Sequence, residues 1–403
     1  MDTSKQFKFE KSFAKSAPEA RSYGVEANGE VARRGKYDFA VAYPDPVSLP
    51  LKELVNSLSD GLSEEGEDLA IYPHPQGYPP LRELISDRLS RIRGVEATPE
   101  SIMLGDGSGQ PIHLILEALL DPGDVVFTEN FTYSGTLNAL RRFGAEIIGI
   151  ECDHNGFIPD VLEHTIRTAI EAGKRPKLIY TIPTFQNPQG WTASLERRIA
   201  LVRIAQSYGI PVIEDDCYVD LRYEGKPATT LHSMDESGLV MYVGSFSKII
   251  APGMRMGFLV APEEILARIR GIKSGGGVNQ FAALAVHRFS KNKLDKHVAH
   301  INELLRSKRD AMLAALGENF GSAADWSEPE GGLYVWVRVK DERADLEDLR
   351  SKALMAEVGY QCGIIYSPDG TSGKNFARLC FGYNSPEEIH ESIARLAEVF
   401  ETN

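Results

Sequence analysis

Between Ser101 and Val260, short apolar runs alternate with amphipathic stretches, and few folds accept that pattern. Ile102-Met103-Leu104, Val125-Val126-Phe127, Glu146 to Ile150, Lys177 to Tyr180, Pro211-Val212-Ile213, Leu239 to Val243 and Gly257 to Val260 read as strands. Helical patterns separate them at Pro111 to Leu120, up to Arg142, near Val161 to Ala172 and at Leu195 to Tyr208. Runs that are apolar on both faces belong to a buried, mostly parallel sheet, covered by helices on both sides. The expected fold class is therefore α/β. From about Asn279 the pattern changes to a long helical zone ending at Leu316. Strands at Tyr334 to Arg338 and Phe376 to Phe381 follow, with helices near Leu346 to Val358 and Pro386 to Phe400. That predicts a smaller α+β C-terminal domain. The expected division is an N-terminal arm over 1–47 contributing to the small domain, a large domain over 48–290 and a small domain over 291–403. Met1 to Lys36 is polar and weakly patterned, and reads as an arm or disordered lead-in.

Composition removes several function classes. Lys and Arg number 44 against 57 Asp and Glu, a formal charge of −13. Phosphate neutralisation needs a basic excess, so nucleic acid is not an expected partner. No run approaches the ~20 apolar residues that span a bilayer, and no polybasic patch suits a membrane surface. Met1 to Lys15 has no apolar core of the signal-peptide kind. Cys152, Cys217, Cys362 and Cys380 are scattered, which fits a reducing compartment, and a cytoplasmic location is expected. The nine histidines are dispersed and form no metal-ligand motif. Gly105-Asp106-Gly107-Ser108-Gly109-Gln110 ends in Gln, so it fails as a dinucleotide fingerprint.

In open α/β sheets, ligands sit beyond the carboxyl ends of the strands. After Leu104, the glycine-rich turn with Ser108 leads into a helix. It reads either as a simple N-cap or as a backbone cradle for an anion. After Ile213 come Glu214, Asp215 and Asp216, ordinarily a solvated edge. Asp215 would also suit a heterocyclic nitrogen that must stay protonated. After Val243 comes Gly244-Ser245-Phe246-Ser247-Lys248, with Arg255 further on. A lysine among apolar neighbours either snorkels to the surface or is desolvated. In the second case it becomes a good Schiff-base amine. Ser245, Ser247 and Arg255 would form a second half of a phosphate site.

Ser245-x-Ser247-Lys248-x(6)-Arg255-x-Gly257 resembles the lysine signature of the class I/II pyridoxal-phosphate aminotransferases of fold type I. Tyr72 with Gly77 to Arg82, Ser108-Gly109-Gln110, Tyr133, Asn187-Pro188-x-Gly190, Asp215-x-x-Tyr218 and Arg378-Leu379-x-Phe381 match further family segments in order. The resemblance covers most of the chain. It implies that pyridoxal 5′-phosphate is held by Lys248 as a Schiff base, with Lys248 then acting as proton shuttle. It implies Asp215 on the pyridine nitrogen, Tyr218 and Asn187 on the phenolic oxygen, and Tyr133 stacked on the ring. It implies Ser108, Gly109, Gln110, Ser245, Ser247 and Arg255 on the phosphate. Tyr72 would reach that phosphate from a neighbouring subunit, so a homodimer with interfacial active sites is implied. Arg378 would pair with the substrate carboxylate.

Two segments depart from the family pattern. Ala42-Tyr43-Pro44 stands where the family has Gly-x-Pro, so Ala42 would narrow the backbone approach and Tyr43 would enter the substrate pocket. Ser274 to Asn279 carries three glycines that would leave room or mobility. The expected reaction is transfer of an amino group from an amino acid to a 2-oxo acid. The alternative is elimination, cyclisation or other carbanion chemistry on the same scaffold. A third class, the aminotransferase-like half of a transcription regulator, would need a DNA-binding pattern before Ala42, and none is seen there.

Overall fold

In the computed structural model, which describes residues 35–401, a seven-stranded sheet forms the centre of the molecule. Its strands are β1 (Ile102–Asp106), β2 (Val125–Glu129), β3 (Glu146–Ile150), β4 (Pro176–Thr181), β5 (Val212–Asp215), β6 (Val240–Ser245) and β7 (Met256–Val260). They lie in the order β1-β7-β6-β5-β4-β2-β3. All run parallel except β7, which is antiparallel to both β1 and β6. The connection from β6 to β7, residues 246–255, is too short for the crossover that a parallel return needs.

Alternation along the strands divides two cores. Val125, Phe127, Ile179 and Val212 join one apolar cluster, and Val126, Leu178, Tyr180 and Ile213 join the other. Helices α1 (Leu51–Glu65), α2 (Pro79–Arg93), α3 (Gly109–Leu119), α4 (Ser134–Arg142), α5 (Pro159–Glu171), α6 (Leu195–Tyr208) and α7 (Glu263–Ile272) surround this sheet. The α6 residues Leu201, Val202 and Ala205 are buried on the first face. Each such aliphatic burial contributes on the order of 1.5–3 kcal/mol.

Helix α8 (Gln280–Asn319) begins at Asn279, whose side chain accepts from the Ala282 amide. It runs unbroken through residue 290, where the sequence places a division. Beyond it, β8 (Ala324–Trp326), β9 (Tyr334–Val339), β10 (Gln361–Cys362) and β11 (Phe376–Cys380) form a second sheet in the order β8-β9-β11-β10. Helix α9 covers only Arg350–Met355, shorter than the pattern near Leu346 to Val358 implies. Val358–Gly359 instead pairs in parallel with Tyr37–Asp38, and the ladder's backbone bonding displaces the helix. Helix α10 (Pro386–Glu401) packs on α8. The smaller C-terminal domain is thus α+β. The lead-in expected over Met1 to Lys36 lies almost wholly outside the described residues.

Candidate active site

The parallel strands bring Asp106, Asp215 and Ser245 to one edge of the sheet. Antiparallel β7 begins at that same edge, directly after Arg255. Met256 pairs with Asp106, and Gly257 pairs with both Gly105 and Ser245. Two remote loops are thereby pressed together. A Cβ on Gly257 would lie 2.5 Å from the Gly107 carbonyl carbon and the Ser108 nitrogen. A Cβ on Gly107 would collide with the Arg255 guanidinium. Backbone fills the space at Gly257, while Gly107 takes the left-handed φ of +66° that glycine adopts freely. Arg255 itself takes a left-handed conformation, φ 48°, to bring its side chain back over the turn. Its Nη2 donates to Asp106 O at 3.0 Å.

Ser108 precedes α3 but makes no side-chain cap, so the simple N-cap reading fails. Its hydroxyl instead hydrogen-bonds Cys217. Gly109 and Gln110 open the helix, with Gln110 Oε1 accepting from the Asp106 amide at 3.0 Å. Across the turn, the Ser247 amide donates to Ser245 Oγ at 3.1 Å. Hydroxyls, free amides of the first helical turn and a guanidinium converge here. That is the donor set of an oxyanion site.

Lys248 is partly buried, and among the described residues its ammonium forms no ion pair. Nζ donates to Ala42 O at 2.7 Å. Burial pushes its pKa below the ordinary lysine value. Arg378 and Arg255 act in the same direction, while Cys380 and Cys217 oppose. An amine so placed is more readily neutral and nucleophilic.

Glu214, Asp215 and Asp216 are all buried, contrary to the solvated-edge reading. Tyr180 Oη donates to Asp215 Oδ2 at 2.7 Å, and Cys217 Sγ donates to Oδ1 at 2.8 Å. Burial raises the Asp215 pKa, and these two donors pull it back. A cation brought against this carboxylate would therefore be held strongly. Glu214 instead accepts the Leu231 and His232 amides, both at 2.8 Å, and Asp216 accepts from Tyr242 Oη at 3.0 Å. Only Asp215 joins the site. Tyr133 precedes α4 and remains 40% exposed; burial raises its hydroxyl pKa, and the charges of Asp215 and Cys217 add to this while Arg378 and Arg255 oppose.

On the opposite wall, Arg378 of β11 is buried. Its Nη1 donates to Asn187 Oδ1 at 3.2 Å and its Nη2 to Ala40 O. Nε has no partner among the described residues. The guanidinium lies 4.5 Å from the Tyr334 ring centroid and 5.2 Å from that of Tyr366. Because Asn187 Oδ1 faces Arg378, its Nδ2 faces Tyr218, donating to Oη at 3.2 Å. Tyr218 Oη and Tyr334 Oη share a hydrogen bond of 2.8 Å. Arg378, Asn187, Tyr218 and Tyr334 thus form one connected network.

The sequence reading did not single out Tyr180, Tyr334, Tyr366, Cys217 or the Ala40 carbonyl. Cys217 stood inside a motif already noted. The tyrosines had no local signal, since each reads as an ordinary strand or core aromatic. Tyr72 is 97% exposed, away from the residues above. Tyr43 faces Tyr383, five residues beyond Arg378 in the chain, with ring centroids 5.8 Å apart. The glycine stretch needs a correction. Gly275 and Gly276 are open, but a Cβ on Gly277 would lie 2.5 Å from His74 O, so that glycine serves close packing against Pro73-His74.

The residues fit pyridoxal phosphate. The glycine cradle leaves no space for side chains beside an oxyanion site, and Lys248 and Asp215 offer an amine and a carboxylate suited to aldehyde and ring nitrogen. Residues 40–396 match the family model described as aminotransferase class I and II. The chain is 33% identical over 358 residues to aromatic-amino-acid aminotransferase 1 of Thermococcus litoralis, covering 88% of this chain and 85% of the relative. The crystal structure of a kynurenine aminotransferase from Pyrococcus horikoshii, in complex with PMP, superposes with a TM-score of 0.86. Identity is 33%, with 90% of each chain covered. A multiple substrate aminotransferase from Thermococcus profundus superposes with a TM-score of 0.90 at 30% identity, covering 98% of each chain.

Proposed function

This chain belongs to the class I and II aminotransferases and uses pyridoxal phosphate to move an amino group from an amino acid to a 2-oxo acid; on that premise we propose roles for its residues and a class of amino donor. When bound, the cofactor supplies an electron sink for negative charge at the substrate Cα. Lys248 Nζ would hold the cofactor and, once freed, would take the proton from that Cα and deliver it to the cofactor's C4′. Asp215, oriented by Tyr180 and Cys217, keeps the ring nitrogen protonated. Ser108, the Gly109 and Gln110 amides, Ser245, Ser247 and Arg255 bind the phosphate. Tyr218 and Asn187 hold the phenolic oxygen, and Tyr133 covers the ring. Arg378 binds the substrate carboxylate, exchanging the Ala40 carbonyl for a bidentate pair.

The observation that carries this reading is Lys248: an amine pushed toward neutrality by burial, with a backbone carbonyl as partner, a few residues beyond the Ser245 strand end. Retention of the lysine, the aspartate and the carboxylate arginine together favours transamination over elimination or cyclisation.

The donor is an amino acid with an aromatic or extended apolar side chain. The Tyr43–Tyr383 pair supports this, since its half-exposed rings lie close in the chain to Ala40 and Arg378, which bond each other. So do the aromatic and kynurenine substrates named for the relatives. Tyr72, almost wholly exposed beside exposed Ile71, completes the phosphate site of a second copy in a homodimer. Pairing of Tyr37–Asp38 with Val358–Gly359 supports assigning residues up to 47 to the small domain, with 48–290 as the large domain and 291–403 as the remainder. Four unpaired cysteines suit a reducing, cytoplasmic setting.

An absorbance screen of the holoenzyme against amino acids tests both the reaction and the donor. An aromatic donor without acceptor should move the band near ~420 nm fully to near ~330 nm, because the amino group stays on the cofactor. Return to the starting spectrum with ammonia released would favour elimination. Response only to small aliphatic or acidic donors would remove the aromatic assignment.

A further inference from the structure

Residues 39–48 form a strap that three cations hold. Arg378 donates to Ala40 O, Lys248 donates to Ala42 O, and Lys308 pairs with Asp45. In the reading above, the first two change partners during the reaction, Lys248 for the cofactor and Arg378 for the substrate carboxylate. Lys308 has no such duty.

Lys308 lies on α8 and is only 6% exposed. Lysine is almost never buried this far without partners that justify it. Its Nζ lies 2.9 Å from Asp45 Oδ2 and donates to Gly382 O at 2.9 Å and to Tyr383 O at 3.4 Å. Every acceptor therefore belongs to the strap or to the exit of β11, the strand that carries Arg378. The same two segments touch directly. A Cβ on Gly382 would lie 2.5 Å from Tyr43 O, and the Cys380 amide donates to Phe39 O at 2.9 Å. Pro44, Asp45 and Leu49 also share one small crevice with Lys248, Ile301 and Leu305.

We propose that Lys308 is a positioning residue for substrate recognition: its buried pair with Asp45 keeps the strap, and with it Tyr43, seated against Tyr383 and the Arg378 wall when Lys248 and Arg378 have left their strap carbonyls. The inference rests on the roles proposed for those two residues. Lys308 touches neither reacting atoms nor cofactor. It acts through the placement of the Tyr43–Tyr383 pair, so its loss should weaken substrate capture rather than slow chemistry.

Asp45→Asn keeps the oxygen that accepts the Val47 amide at 2.8 Å but turns an NH2 donor toward Lys308 Nζ, so it breaks the pair outright. Lys308→Met with Asp45→Asn removes both charges and leaves neither stranded. In cofactor-loaded enzyme, amides of 39–48 should exchange with solvent hydrogen roughly tenfold faster in both variants, with little change elsewhere. KM for L-phenylalanine should rise roughly 10–100-fold with kcat held within a few-fold, the scale of an approximately 1 Å misplacement. Lys308→Arg, which keeps the charge, should recover much of the lost affinity. Unchanged exchange over 39–48, or an unchanged KM in the double variant, would overturn the proposal. So would a fall confined to kcat. Cofactor attachment at Lys248, read by absorbance in the same samples, is expected to be intact. Its absence from the parent enzyme would instead strike the proposed function.

Discussion

The two walls of the site are built in different ways. The wall proposed for the cofactor is mostly backbone: glycines 107 and 257, the first amides of α3 and the strand ends of one sheet, with side chains added onto a closely packed frame. The opposite wall is a mesh of side chains from distant parts of the chain, with Arg378, Asn187, Tyr218 and Tyr334 holding one another and Ala40 O accepting from Arg378; in the proposed roles Arg378 faces the substrate, while Asn187 and Tyr218 reach back to the cofactor. A backbone frame tolerates almost no change, whereas a side-chain mesh can be retuned. On the proposed roles, cofactor binding and carboxylate recognition by Arg378 should respond differently to substitution.

Substitutions should separate the walls in the same way. Lys248→Ala should keep the fold and lower turnover by roughly three to six orders of magnitude, checked by steady-state rates and circular dichroism. Near-normal turnover would end the comparison at once. Next come one change from each wall. Gly257→Ala forces the Gly107–Ser108 backbone to move and should raise the dissociation constant of pyridoxal phosphate roughly 10²-fold, measured by equilibrium dialysis. Arg378→Lys should leave cofactor affinity almost unchanged and raise the substrate KM by a comparable factor, because the planar fork is lost. If both variants lost cofactor equally, the two walls would be one unit.

The smallest expected effect lies behind the frame. Glu129 on β2 is fully buried and accepts from Thr181 Oγ1 at 2.8 Å and the Ile182 amide at 2.7 Å. Burial pushes its pKa up to about 7. A carboxyl raised in the folded state leaves stability intact below its unfolded pKa and loses it as pH climbs toward 7. The full loss is about 3 kcal/mol. Glu129→Gln should remove that slope, so the gap in Tm between parent and variant should change by a few degrees between about pH 5 and pH 8. An equal gap at both pH values would show that Glu129 titrates as an ordinary carboxylate.

The same division explains what the sequence disclosed. The strands of the central sheet and α6 were legible because they depend on local pattern, and the residues proposed for the cofactor were named from glycine turns, a lysine at a strand end and the motif resemblance. The antiparallel β7 was legible only as a strand, although its short connection from β6 already forbade a parallel return. The opposite wall was legible in part: Arg378, Asn187 and Tyr218 stood in the motif resemblance, whereas Tyr334 did not. Tyr334 and Tyr180 look like any core aromatic until folding places them beside Tyr218 and Asp215. Gly277 suggested open space, yet His74 O occupies it. Lys308 read as one charged position in a long helix, and nothing near it in sequence announces Asp45 or Gly382.

The most direct measurement is borohydride reduction of the purified, yellow holoenzyme followed by peptide mass mapping. A single pyridoxyl group on the peptide containing Lys248, and on no other lysine, is the predicted result. An unmodified Lys248 peptide from fully loaded protein, or an adduct at another lysine, would contradict it.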